Sequence, residues 1–265
     1  MKVAQVDKRA RFPCKNHGIC VPDGDVFRCN CQHGWAGDFC QRPCQDVYGQ
    51  CNMWHAQRKC EQYRGRTRFF DDNCSASCGV CGFDSRTLPP ADVAPLAPVL
   101  EPLAFLIGRW ESSYPYPLRF PLDFRQARYH EVLDVTPAPV LVFGTPAVNF
   151  TSISQSLSNP LDMRVMRGFL AINRKTDPLE VALLCTSNEG LNTLELGSLK
   201  MDEVLMLNTT YMQIHPSIRT DLLPMGGVRM FRRRGELLQM TVAKLTRAAS
   251  VQRFTKLYRR IRRYF

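Results

Sequence analysis

Val228-Arg229-Met230-Phe231 runs through Arg232-Arg233-Arg234-Gly235-Glu236 into Leu237-Leu238-Gln239-Met240-Thr241-Val242-Ala243-Lys244-Leu245: a strand, a turn and a strand. Gly235 can take the positive φ of a tight hairpin turn, and the segments on either side carry the β-branched and aromatic residues that suit a pleated surface. Outward from this hairpin the same texture repeats about every 10–15 residues. Val140–Phe143, Val148–Ser154, Gly168–Ile172, Val181–Thr186, Leu191–Leu199 and Val204–Ile214 all read as strands. Eight or more strands over roughly 160 residues, with few helical stretches, predict a closed up-and-down barrel, because closure removes edges that would otherwise aggregate. The last segment stays open. Val251, Phe254, Leu257, Tyr258 and Ile261 fit helical spacing as well as strand alternation.

At 265 residues, with 45% hydrophobic residues, three Trp and 15 Phe, the chain has room for one sizeable core and small appended modules. No run approaches the ~18 consecutive apolar residues of a membrane span. The start, Met1-Lys2-Val3-Ala4-Gln5-Val6-Asp7-Lys8-Arg9, lacks the apolar core of a signal peptide. The net charge of +11 is uneven: residues 228–265 hold 12 Lys+Arg against 1 acidic residue, whereas residues 1–82 net +4 and residues 83–227 net −4. Arg232, Arg233, Arg234, Arg259, Arg260, Arg262 and Arg263 carry most of that C-terminal excess. It suits a polyanionic matrix or an anionic membrane surface, and not nucleic acid, for a chain that works outside the cell.

The cysteines argue for that location. Eleven of the 12 lie between Cys14 and Cys81. Their gaps from Cys14 to Cys40 are irregular, without paired Cys-x-x-Cys knuckles, and His17, His33 and His55 stand away from zinc-ligand spacing, which predicts disulfides and the secretory pathway. Five prolines between residues 83 and 102 read as an extended, semi-rigid spacer.

Phe12-Pro13-Cys14-Lys15-Asn16-His17-Gly18-Ile19-Cys20, then Cys29-Asn30-Cys31-Gln32-His33-Gly34-Trp35-Ala36-Gly37-Asp38-Phe39-Cys40, resembles an EGF-like domain from its second cysteine onward. The resemblance implies pairs Cys14–Cys29 and Cys31–Cys40. It leaves Cys20 unpaired, since no counterpart of the family's first cysteine stands among residues 1–13, and it implies no calcium site, since only Asp7 is nearby. Cys44-Gln45-Asp46, Cys51-Asn52-Met53-Trp54, Cys60 and the ending Cys74-x3-Cys78-Gly79-Val80-Cys81 resemble a ShK-type module. That likeness implies pairs Cys44–Cys81, Cys51–Cys74 and Cys60–Cys78. The Lys-Tyr pair with which toxins of that family block potassium channels is missing; the interval holds Tyr63-Arg64, so channel block is not expected.

Leu103-Ala104-Phe105-Leu106-Ile107-Gly108-Arg109-Trp110, followed by Tyr114-Pro115 and Tyr129-His130-Glu131, resembles the start of lipocalin-like barrels and, more closely, of the nitrobindin-type heme-binding barrel, over roughly residues 100–260. Gly108 and Trp110 open the barrel, Trp110 as a packing residue of its floor. Heme-binding members supply a histidine from the last strand, and the aligned position is Arg253. No histidine follows His215, and arginine stays protonated and cannot ligate iron, so no cofactor is expected. His130 and His215 are the remaining candidate ligand-binding residues. The expected fold class is mainly β: small disulfide-rich EGF-like (11–42) and ShK-type (44–81) modules, a Pro-rich linker (83–102), then a lipocalin/nitrobindin-like antiparallel β-barrel (103–265) with a basic C-terminal tail.

Cys185, in the apolar run Ala182-Leu183-Leu184-Cys185-Thr186, has no partner in its domain and reads as a buried free thiol. Asn149-Phe150-Thr151 and Asn208-Thr209-Thr210 are glycosylation sequons. There is no HExxH, Gly-x-Ser-x-Gly or P-loop pattern, so no enzyme and no metal site are expected. The module order resembles nematode cell-surface proteins of the male-abnormal type, type II membrane proteins that shape male sensory rays. It implies extracellular protein partners, a role in epidermal or cuticle-linked morphogenesis and a membrane span upstream of Met1. The competing expectation is an extracellular carrier whose barrel takes heme or a lipid-like ligand.

Overall fold

The computed structural model describes residues 13–23, 26–81, 95–113, 128–140, 144–173, 175–200, 203–216, 226–245 and 251–264, and the chain divides into two compact units. In the first, β1 (Ile19–Asp23) and β2 (Val26–Asn30) form a hairpin with Cys20 opposite Cys29, and β3 (Trp35–Ala36) pairs with β4 (Arg42–Pro43). A stretch this short buries too little apolar surface to fold alone, so covalent links restrict its unfolded state. Disulfides join Cys14 to Cys29 and Cys31 to Cys40.

Three short helices follow, α1 (Cys51–Ala56), α2 (Lys59–Tyr63) and α3 (Phe69–Asn73). They surround Cys44–Cys81, Cys51–Cys74 and Cys60–Cys78. Helices of five or six residues are unstable in isolation. Here Tyr48, Trp54, Phe69 and Phe70 pack ring against ring at 5.3–5.9 Å beside the disulfides. Arg42 is buried and donates to the Asp72 carbonyl (2.7 Å) and carboxylate (3.1 Å), while Arg68 donates to Asp38 (2.7 Å), so the hairpin and helical modules are tied together.

The second unit is a closed antiparallel barrel of ten strands, each paired with its sequence neighbours: β5 (Gly108–Ser113), β6 (Tyr129–Pro137), β7 (Ala147–Ser156), β8 (Met163–Asn173), β9 (Leu179–Ser187), β10 (Leu191–Lys200), β11 (Val204–Ile214), β12 (Gly226–Arg234), β13 (Leu237–Leu245) and β14 (Val251–Arg262). β14 pairs with β5 and closes the ring. Alternation is strict on β6, where Tyr129, Glu131, Leu133 and Val135 are buried. From other strands Phe150, Leu170, Leu183, Leu205, Phe231 and Tyr258 complete the inner wall. At Gly168 an added Cβ would collide with the Leu184 carbonyl, so the close approach of β8 to β9 requires glycine.

Two sequence expectations change. The stretch taken as the end of a spacer is packed structure: Pro98–Leu103 form a 3-10 turn with Leu100 and Leu103 buried, the fixed φ of Pro98 and Pro102 suiting such a turn. The basic C-terminal segment is not a tail, since Val251–Arg262 hydrogen-bond along β13 and β5 as a full strand. The expected strand Val140–Phe143 lies mostly outside the described residues.

Trp110 is fully buried, its indole Nε1 donating to the Leu106 carbonyl at 2.8 Å, and the Arg260 guanidinium lies 4.4 Å above its ring. Gly108, at φ +146°, turns the chain out of the apolar run Leu103–Ile107 into β5. That run is itself buried at Leu103, Phe105, Leu106 and Ile107.

Candidate functional site

The inner wall of the barrel carries charge. Glu131 on β6 and Lys256 on β14 both face inward and form an ion pair across the intervening β5, with side chains 1% exposed. Ser152 donates to the Glu131 carboxylate at 3.0 Å, and the Lys256 ammonium stands 5.0 Å from the centre of the Tyr129 ring. Burial pushes Lys256 down to about 8, against the pull of Glu131 towards the charged form.

A second pair repeats the arrangement. Glu195 on β10 and Arg229 on β12 meet across β11 in a two-pronged bond, Arg229 Nε to Oε2 at 3.0 Å and Nη2 to Oε1 at 2.9 Å. The planar guanidinium matches the carboxylate edge to edge, which is the strong form of this contact. Burial works against the Arg229 charge, but Glu195 more than offsets it, and the guanidinium is held above its ordinary range. The same guanidinium lies 5.9 Å from the Phe150 ring centre and 3.8 Å from the Met166 sulfur. Cys185 is buried near this pair, and burial pushes its thiol up to about 12 despite Arg229, so it is a thiol and not a thiolate.

The histidines lie elsewhere. His130 points away from the interior, between the inward Tyr129 and Glu131, and its Nε2 is 2.6 Å from the half-exposed Glu111 carboxylate. His215 is exposed just beyond β11. His17, His33 and His55 belong to the first unit. Arg253, the position aligned with a proximal ligand, is exposed on the outer face of β14, because alternation there turns Phe254, Lys256 and Tyr258 inward.

Sequence reading missed Glu131, Lys256, Glu195 and Arg229 as a group. The one available signal was the phase of the strands: each of the four sits at an inward position between outward ones.

Cys20 has a free thiol 2.7 Å from the Cys14 sulfur. Cys14, Cys20 and Cys29 form a three-sulfur cluster, but two of the three are tied in the disulfide. Asn149 lies on the outer face of β7, opposite Phe169, and its Nδ2 donates to Thr136 Oγ1 at 3.3 Å; Asn208 is exposed on β11.

The two basic stretches meet at one end of the barrel. Arg259 is in register with Leu237 at the β12–β13 turn, Arg263 reaches Glu236 at 3.7 Å, and Arg233 reaches Glu203 at 3.7 Å. Arg260 is held below its ordinary range first by burial and then by the charges of Arg263 and Arg233.

Residues 99–260 match the THAP4-like, heme-binding β-barrel domain, and residues 10–39 match the EGF-like domain. The chain belongs to the THAP4-like, heme-binding β-barrel family. An uncharacterized protein of Caenorhabditis elegans, C28H8.5, is 25% identical over 163 residues, covering 58% of this chain and 52% of that protein; the chain thus spans about half the length of this relative. Rv2717c from M. tuberculosis, a crystal structure, is 19% identical with a TM-score of 0.48, over 62% of this chain and 98% of that one. Among the described residues no helix is long and apolar enough to cross a membrane.

The family name calls for an axial donor facing the interior. All five histidines are described, and none faces it. Cys185 is held protonated, and the inner charges are engaged with one another. The residues present do not fit a heme held by an interior histidine.

Proposed function

We propose that this chain is a non-enzymatic extracellular or cell-surface interaction protein, acting in epidermal, cuticle or sensory-ray morphogenesis. Its disulfide modules, the second of ShK type, present surfaces to protein partners, and its barrel holds to a polyanionic matrix or an anionic membrane surface. The observation that carries the reading is the meeting of Arg232, Arg233 and Arg234 with Arg259, Arg262 and Arg263 at one barrel end. Glu203 and Glu236 are the acidic residues in salt-bridge reach of that cluster among those described. A surface of one sign raises the local concentration of an opposite polymer and loses its hold as salt screens it. The full chain is expected to bind heparin-Sepharose at low salt and elute as NaCl rises. Arg259→Gln, Arg262→Gln and Arg263→Gln together move elution to markedly lower salt; unchanged elution would show that the arginines form only a solvated surface.

A second reading, a carrier of heme or of a lipid-like ligand, draws on the family to which the barrel belongs. Native mass spectrometry of the secreted, deglycosylated chain separates the two: an added ligand mass favours the carrier, a bare chain the interaction protein.

A further inference from the structure

The outer face of the barrel holds a row of apolar side chains in cross-strand succession: Phe169 on β8 faces Leu184 on β9, Leu184 faces Leu194 on β10, and Leu194 faces Tyr211 on β11. Phe169, Leu184 and Tyr211 are 55%, 51% and 57% exposed, on strands whose other face is packed. The row floors a groove of about 940 Å³ whose polar edge includes Arg109, Asp134, Asn149, Arg167, Thr186 and Asn192. An apolar floor with a polar rim marks a surface that something covers.

What covers it is indicated by one rim residue. Asn149 begins the sequon Asn149-Phe150-Thr151, lines the groove and is the cross-strand partner of Phe169. Directly opposed residues in an antiparallel pair have Cβ atoms about 4.5–5.5 Å apart. Asn149 Nδ2 bonds Thr136 Oγ1 on β6, so the side chain must turn from β6 towards β8 to bring an attached sugar within reach of the Phe169 ring. Pyranose rings have an apolar C–H face and a hydroxylated edge, which matches the aromatic floor and the amide, hydroxyl and charged rim. The other sequon offers no such seat: Asn208 is exposed on β11 opposite Leu196 and Val228, and is not part of the groove.

We propose that Asn149 is N-glycosylated and that its first N-acetylglucosamine packs over Phe169 and Leu184, making the glycan the natural cover of this barrel face. The proposal rests on the extracellular reading, since the modification is made only in the secretory pathway. The test uses the full chain secreted from eukaryotic cells with an added export signal, so that its result does not depend on where the natural chain resides; heparin elution reports on the function reading separately. Peptide mapping after enzymatic deglycosylation is expected to place a glycan on Asn149. Trimming to the first sugar should leave Tm unchanged, and complete removal should lower it by about 3 °C. In Phe169→Ala, which keeps the sequon, complete removal should no longer change Tm. As a measurement needing no variant, the acetyl methyl resonance of that first sugar should shift upfield from ring current. An unmodified Asn149, or a glycan whose complete removal leaves Tm unchanged and whose first sugar shows no upfield acetyl shift while attached, would overturn the proposal.

Discussion

Lys256 is the residue at which the character of this barrel is decided. Buried ion pairs give little net stability, because desolvation of both charges offsets their attraction, yet removing one partner strands the other. Lys256→Met alone should therefore cost about 3–5 kcal/mol, and Glu131→Leu with Lys256→Met much less, as read by urea unfolding. Equal losses in both variants would contradict the pairing. The pair also sets a pH dependence. Lys256 titrates near 8 in the folded chain and at its ordinary 10.5 when unfolded, so between these values the unfolded chain binds the extra proton. Its contribution to stability thus rises with pH from about 8 to 10.5, and the double variant should lack this slope. Little of this was legible in the sequence: a lysine in a strand reads as solvent-facing until the strand's phase is known.

At the scale of elements, the barrel strands were legible where short apolar and β-branched runs are bounded by turn residues, as in Val181–Thr186 and Leu191–Leu199, although Leu184 is exposed and Glu195 buried within them. β14 was not, for a physical reason. Its inward positions include the charged Lys256, while Val251, Leu257 and Ile261 point outward at 68%, 49% and 46% exposure. The usual pattern is inverted there, and apolar residues on both faces imitate a helical stripe. Pairing with β13 on one side and β5 on the other settles the segment as a strand, because closure satisfies backbone groups on both edges. The β8–β9 contact offers a test of how tightly closure is built. Gly168→Ala should destabilise the barrel by about 1–3 kcal/mol, since the new methyl meets the Leu184 backbone and not a yielding side chain. A neutral result by thermal melting would mean that the strands separate more easily than their register indicates.

For the whole molecule, the sequence marked the disulfide-rich first unit and the β-barrel as distinct stretches, through cysteine density and strand texture. It could not show how the barrel interior is filled, which depends on residues more than a hundred positions apart, such as Glu131 and Lys256, meeting across a strand. Among the described residues that interior presents two ion pairs and no histidine. The most direct measurement is a hemin titration of the full secreted chain, followed by absorbance at the Soret wavelength and by native mass. No new Soret band and a bare chain mass are expected, because no histidine lies on the inner wall and the inner charges bind one another. One heme per chain, with a Soret band that is lost when His130 or His215 is replaced by alanine, would contradict this and make the barrel a carrier.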